Sequence, residues 1–73
     1  MAVSKLRQID FLEGNEGKLI RLELNGREIR RRVYYNRACG LYIRLNNKAI
    51  YAYDFYKSDE IYLDNNGLPI EEA

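Results

Sequence analysis

Apolar and polar positions alternate strictly in two blocks of the chain, Ile20-Arg21-Leu22-Glu23-Leu24 and Leu41-Tyr42-Ile43-Arg44-Leu45. A turn dipeptide follows each, Asn25-Gly26 in the first and Asn46-Asn47 in the second. Alternation then resumes behind a cation, through Arg27-Glu28-Ile29 and Lys48-Ala49-Ile50. A period of two sets one face of a strand against a core and the other against solvent. Asn and Gly tolerate the positive φ angles of a two-residue type I′ turn, so both blocks predict tight β-hairpins. The first turn then pairs Leu24 with Arg27, Leu22 with Ile29 and Ile20 with Arg31. The second pairs Leu45 with Lys48, Ile43 with Ile50 and Leu41 with Ala52, and sets Tyr42 against Tyr51 on the opposite face.

Four consecutive strands follow, over about 18–24, 27–35, 40–45 and 48–55, with a longer loop at Asn36-Arg37-Ala38-Cys39-Gly40. Arg31 falls on the apolar face, where an unpaired charge is costly. Either a β-bulge near Arg30-Arg31-Arg32 resets the alternation, or Arg31 lies at a sheet edge and its head group reaches water. The bulge is the preferred expectation. Residues 58–64 read as a short fifth strand closed by Asn65-Asn66-Gly67, and Gly14-Asn15-Glu16-Gly17 as a turn. The N-terminal piece fits two templates. Val3, Leu6, Ile9 and Leu12 behind Ser4 suit a short helix, whereas Ile9-Asp10-Phe11 suits a strand, preferred here over 6–12. The expectation is one all-β domain over 1–66 with a loose tail over 67–73. Its architecture is a small antiparallel meander of two tandem hairpins forming an SH3-like half-open barrel. A single curled sheet that dimerises to cover its exposed face is the alternative.

The stretch from Lys18 to Ile29, Lys18-Leu19-Ile20-Arg21-Leu22-Glu23-Leu24-Asn25-Gly26-Arg27-Glu28-Ile29, resembles the first hairpin of Sm-like RNA-binding proteins. That resemblance implies an SH3-like barrel that assembles into rings. Two departures bound it. The family's glycine in the bent second strand is replaced by Arg30-Arg31-Arg32, and its later Arg-Gly signature by Ala52-Tyr53-Asp54-Phe55. No RNA-pocket residue is therefore carried over.

Composition narrows the chemistry. The 73 residues contain no His and a single Cys. His-based acid–base catalysis, His metal sites, a Cys-His nucleophile pair and an intrachain disulfide are thereby excluded. Gly14-Asn15-Glu16-Gly17-Lys18 lacks the length, the following Ser or Thr, and the following helix of a phosphate loop. Asp59 and Glu60 are adjacent, so in a strand they point to opposite faces and form no carboxylate pair. No enzyme, cofactor or metal is expected. No apolar run approaches the roughly 18 residues of a membrane span, and the N-terminus has no signal-peptide core, so the expected location is cytoplasmic.

The net charge of +1 conceals a split. Arg27, Arg30, Arg31, Arg32, Arg37, Arg44 and Lys48 face a lone acid, Glu28, in residues 27–48. Asp54, Asp59, Glu60, Asp64, Glu71 and Glu72 face only Lys57 in residues 54–73. Such asymmetry marks either a nucleic-acid face with an acidic tail or two segments that neutralise each other in the fold. On the alternation above, Tyr34, Tyr42, Tyr51, Tyr53 and Phe55 fall opposite the Leu/Ile core, interleaved with Arg30, Arg32 and Arg44. Aromatic rings stack on bases while Arg neutralises phosphate, so these residues are the candidate nucleic-acid face. Tyr is also a good strand former and a common anchor of protein interfaces. The alternative is therefore a protein-interaction module, or a small inhibitor or regulator, whose acidic C-terminal segment occupies a partner's basic groove. A homodimer is a further option, and no membrane partner is expected.

Overall fold

A computed structural model describes residues 3–55 and 58–70. The chain forms strands β1 (Ser4–Gln8), β2 (Leu19–Leu24), β3 (Arg27–Arg32), β4 (Tyr34–Asn36), β5 (Gly40–Leu45), β6 (Lys48–Tyr51) and β7 (Glu60–Leu63). A 3-10 turn, Ala52–Phe55, links β6 towards β7. The strands make two antiparallel sheets, ordered β3-β2-β1-β7 and β4-β5-β6. The all-β, hairpin-built class predicted from alternation is what forms. The two sheets do not close into a barrel: among the described residues no hydrogen-bonded ladder joins β6 to β7.

Both hairpin registers follow from the turn chemistry. Leu24 pairs with Arg27, Leu22 with Ile29 and Ile20 with Arg31, while Leu45 pairs with Lys48 and Ile43 with Ile50. Asn25 and Gly26 take φ of 52° and 84°, and Asn46 and Asn47 take 50° and 66°, the left-handed values a type I′ turn needs. Asn25 also extends the β1–β2 ladder: its Oδ1 accepts from the Lys5 N–H and its own N–H donates to the Lys5 carbonyl, both at 2.9 Å.

The run Arg27–Asn36 serves both sheets. Beyond Arg32 the Val33 N–H still donates to the Lys18 carbonyl at 2.9 Å, and the Gly17 N–H to the Val33 carbonyl at 2.8 Å. One residue later, Tyr34 pairs with Tyr42 in the other sheet. Val33, 1% exposed, sits at this crossover inside the core. The bulge expected at Arg30-Arg31-Arg32 is absent, since the β2–β3 register runs unbroken to Leu19 opposite Arg32. The other solution holds. β3 is an edge strand, and Arg31 lies half-buried with its Nη1 donating to the Arg30 carbonyl at 2.7 Å.

The core draws on both sheets through Leu6, Ile20, Leu22, Val33, Ile43, Leu45, Ile50 and Leu63, and on two residues outside them, Leu12 and Phe55. Phe55 corrects the expected strand over 48–55, which placed it on the outer face. The strand ends at Tyr51, where Asp54 Oδ2 accepts the Tyr51 N–H at 3.0 Å. The tighter 3-10 turn replaces the period of two with one of about three. Phe55 then swings inward, 6% exposed.

The N-terminal strand is Ser4–Gln8 rather than 6–12, and no α-helix forms among the described residues. The chain leaves β1 at Gln8 to insert Leu12 into the core. Asp10 anchors this loop, accepting the Arg21 N–H and Nε at 3.0 Å and Nη2 at 3.1 Å. At the far end, the first part of the expected tail folds back on β7: Ile70 N–H donates to the Tyr62 carbonyl at 2.9 Å and Pro69 bridges Leu63. Residues 71–73 lie outside the described residues.

Hydrogen bonds from the Arg21 side chain and backbone hold the Asp10 carboxyl below its ordinary value. A group whose pKa is lowered on folding stabilises the fold fully above its unfolded value and loses that contribution as pH falls through the folded one. Thermal melts on acidification check this. The wild type is expected to lose stability more steeply below the ordinary carboxylate range than Asp10→Asn, which lacks the titrating group.

Candidate functional site

The outer face of the three-stranded sheet carries a ladder of four tyrosines. Register places Tyr34 of β4 opposite Tyr42 of β5, and Tyr42 opposite Tyr51 of β6. Their ring centroids are 5.6 and 5.4 Å apart, tilted by 32° and 49°. The 3-10 turn adds Tyr53, whose ring stacks on Tyr51 at 5.1 Å and 4°. Cross-strand aromatic pairs at this separation attract by about 0.5–1.5 kcal/mol beyond their buried area, so the ladder is preorganised. Tyr42 and Tyr51 are half-buried between neighbours, whereas the terminal rings remain open, Tyr34 at 43% and Tyr53 at 55% exposure. A further base can stack only on those two ends; the inner rings offer edges and hydroxyls.

Cys39, exposed in the turn before β5, lies beside the Tyr51 hydroxyl. Burial, and then the thiol, push the Tyr51 hydroxyl above its ordinary value; burial and the nearby Asp54 do the same at Tyr53. Both therefore remain protonated donors throughout the neutral range.

Charge divides by sheet. On the four-stranded sheet four cations meet carboxylates, Lys5–Glu60 at 3.2 Å, Arg7–Glu23 at 3.4 Å, Arg21–Asp10 at 3.0 Å and Arg30–Glu28 at 3.9 Å, while Arg31 and Arg32 donate to backbone carbonyls. The span 33–51, which builds the tyrosine sheet, contains Arg37, Arg44 and Lys48 and no Asp or Glu. Among the described residues none of these three makes an ion pair. Two described acids of 54–73 find their partners outside residues 27–48. Glu60 neutralises Lys5 of β1, and Asp64 accepts from the N–H groups of Asn66 and Leu68.

The structure thus gathers five of the seven expected residues and separates two. Tyr34, Tyr42, Tyr51 and Tyr53 form one strip, and Arg44 lies on the same face two residues from Tyr42 along β5. Arg30 and Arg32 belong to the other sheet, across the crossover at Val33. Arg30 sits near Glu28, and Arg32 Nη1 donates to the Gly17 carbonyl. Phe11, at 56% exposure, shares an open cavity with Tyr53. The alternation Ile9-Asp10-Phe11 predicted a strand there, but Phe11 belongs to a loop placed by Leu12 and Asp10.

Among the described residues no group of three or more His, Cys, Asp or Glu could hold a metal ion. None of their helices is long and apolar enough to cross a membrane. Comparison of the chain with protein-family models, with curated proteins and with solved structures finds no match in any of the three.

Proposed function

We propose that this protein is a non-enzymatic binding module whose tyrosine ladder contacts single-stranded nucleic acid. One observation carries the proposal: three rings of the three-stranded sheet and a fourth from the adjoining 3-10 turn stack in series, on strands that bear cations and no carboxylate, with Asp54 of the turn as the adjoining acid. In this reading Arg44 and Arg37 neutralise phosphates, bases stack on the open faces of Tyr34 and Tyr53, and the inner tyrosines donate hydroxyls. Arg30 and Arg32 precede Tyr34 on the same run and extend the basic surface onto the neighbouring sheet. The SH3-like, half-open form belongs to this proposal too. It is supported by the pairing of β1 with β7 and by the run that changes sheet at Val33.

The interlocked inner rings favour a second reading, a protein-interaction module. Tyr42 and Tyr51 present fixed edges and hydroxyls, which suit a protein surface better than a base. Fluorescence anisotropy of labelled single-stranded RNA, single-stranded DNA and duplex DNA, at low and near-physiological salt, decides between them. Binding of the single strands at about micromolar protein, weakening as salt rises, is the expected result. Flat titrations at both salts would overturn the proposal and favour the second reading.

A further inference from the structure

The loop after β1 and the 3-10 turn face each other across an open cavity of about 590 Å³. That volume is within the range of about 300–1,000 Å³ typical of ligand sites. Its deep part is apolar, with the core residues Leu12 and Phe55. Phe11 and Tyr53, each more than half exposed, contribute aromatic rings, and Glu13 and Asp59 contribute carboxylates. No cation belongs to the described lining.

Gln8 ties two parts of this lining together. It is buried at 9% exposure; its Nε2 donates to Asp59 Oδ1 at 3.2 Å, and its Oε1 accepts the Leu12 N–H at 3.3 Å. The Gln8 N–H adds a bond to the Asp59 carbonyl at 2.9 Å. These bonds occupy only part of the acidic lining. Asp59 Oδ2 and both Glu13 oxygens have no partner among the described residues.

We infer that this cavity binds an arginine side chain from a basic segment of a partner protein. The apolar interior accommodates an aliphatic stem, and an aromatic face attracts the guanidinium through its quadrupole. The Glu13 and Asp59 carboxylates accept its N–H groups in charge-assisted hydrogen bonds. Arginine fits better than lysine, because the planar, weakly hydrated guanidinium stacks on a ring and bonds carboxylates at once. The same carboxylates repel phosphate. The cavity is therefore distinct in chemistry from the cationic sheet, although Tyr53 borders both, and the inference is independent of what the ladder binds.

The test is an NMR titration of the full chain with the capped peptide Gly-Gly-Arg-Gly-Gly and with its lysine and glutamate counterparts. Saturable shifts centred on Gln8, Phe11, Glu13 and Tyr53 are expected with arginine, weaker ones with lysine and none with glutamate. Phe11→Ala and Glu13→Gln, both at exposed positions, should each weaken arginine binding at least about threefold while leaving the thermal melt in place. Tyr34→Ala, at the far end of the ladder, should leave arginine binding unchanged. Loss of RNA affinity in that variant would report on the ladder alone, so the two readings fail separately. Absence of cavity shifts, equal shifts with the glutamate peptide, or undiminished binding in folded Phe11→Ala and Glu13→Gln overturns the inference.

Discussion

Ile43→Ala is expected to lower the melting temperature by about 10 °C or more, at about 4–8 °C for each kcal/mol in a domain of this size. Ile43 is 0% exposed in β5, the central strand of its sheet, and lies opposite Ile50, also 0% exposed. Truncating a fully enclosed Ile loses the transfer energy of the removed carbons and leaves a cavity, together about 2–5 kcal/mol. A chain of 73 residues has only about 4–11 kcal/mol in total, at about 0.05–0.15 kcal/mol per residue. The same substitution at Leu19, 60% exposed, should change stability by no more than about 0.5 kcal/mol. Thermal and urea denaturation followed by circular dichroism check both. A shift below about 5 °C for Ile43→Ala would mean that the two sheets do not enclose this side chain. The consequence reaches the binding surface, because Tyr42 and Tyr51 flank Ile43 and Ile50 on the same two strands. Loosening the core side of the β5–β6 pair releases the ladder on its other face.

The second large effect is on affinity. Reversing two charges with Arg37→Glu and Arg44→Glu is expected to reduce single-strand binding at least about tenfold near physiological salt, a change of about 1.4 kcal/mol. The log–log salt dependence should also flatten, since fewer counterions are released. Tyr53→Ala removes an open stacking face and should cost about 1–3 kcal/mol, with little change in salt dependence. Arg30→Glu serves as the contrast. Arg30 lies on the other sheet near Glu28, so its reversal should cost clearly less than the Arg37/Arg44 pair. Anisotropy titrations of the four proteins at two salt concentrations separate these outcomes. Unchanged affinity in the Arg37→Glu, Arg44→Glu protein would show that phosphate does not meet the tyrosine sheet.

Much of this surface was legible before any coordinates. Tyr42 and Tyr51 are each spaced from the Asn46-Asn47 turn so that a two-residue loop must set them opposite one another. Tyr34 follows from the loop closed by Gly40. The fourth rung, Tyr53, was expected on the same face for the wrong reason: a continuing strand would have placed it there, but a 3-10 turn does so instead. That turn also buries Phe55, which strand alternation had put outside. The arginines were harder. Residues 27–48 read as one basic block, yet the crossover at Val33 sends Arg30 and Arg32 to one sheet and Arg37 and Arg44 to the other. Phe11, Glu13, Asp59 and Gln8 carry no shared spacing, so no sequence pattern announced the cavity they line.

The division has a physical basis. Hairpin register depends on turn residues that accept positive φ and on a side-chain period of two, both properties of a dozen adjacent residues. The sequence by itself therefore determined the all-β class, both tight turns, the pairing within each hairpin and the apolar face of each. Tertiary structure alone decided where the chain changes sheet, which loop residue enters the core and which carboxylate meets which cation. Those outcomes depend on contacts between segments far apart in sequence. Leu12 is buried only because the loop after β1 folds onto the core that both sheets share, and Glu60 neutralises Lys5 only because β7 returns to pair with β1.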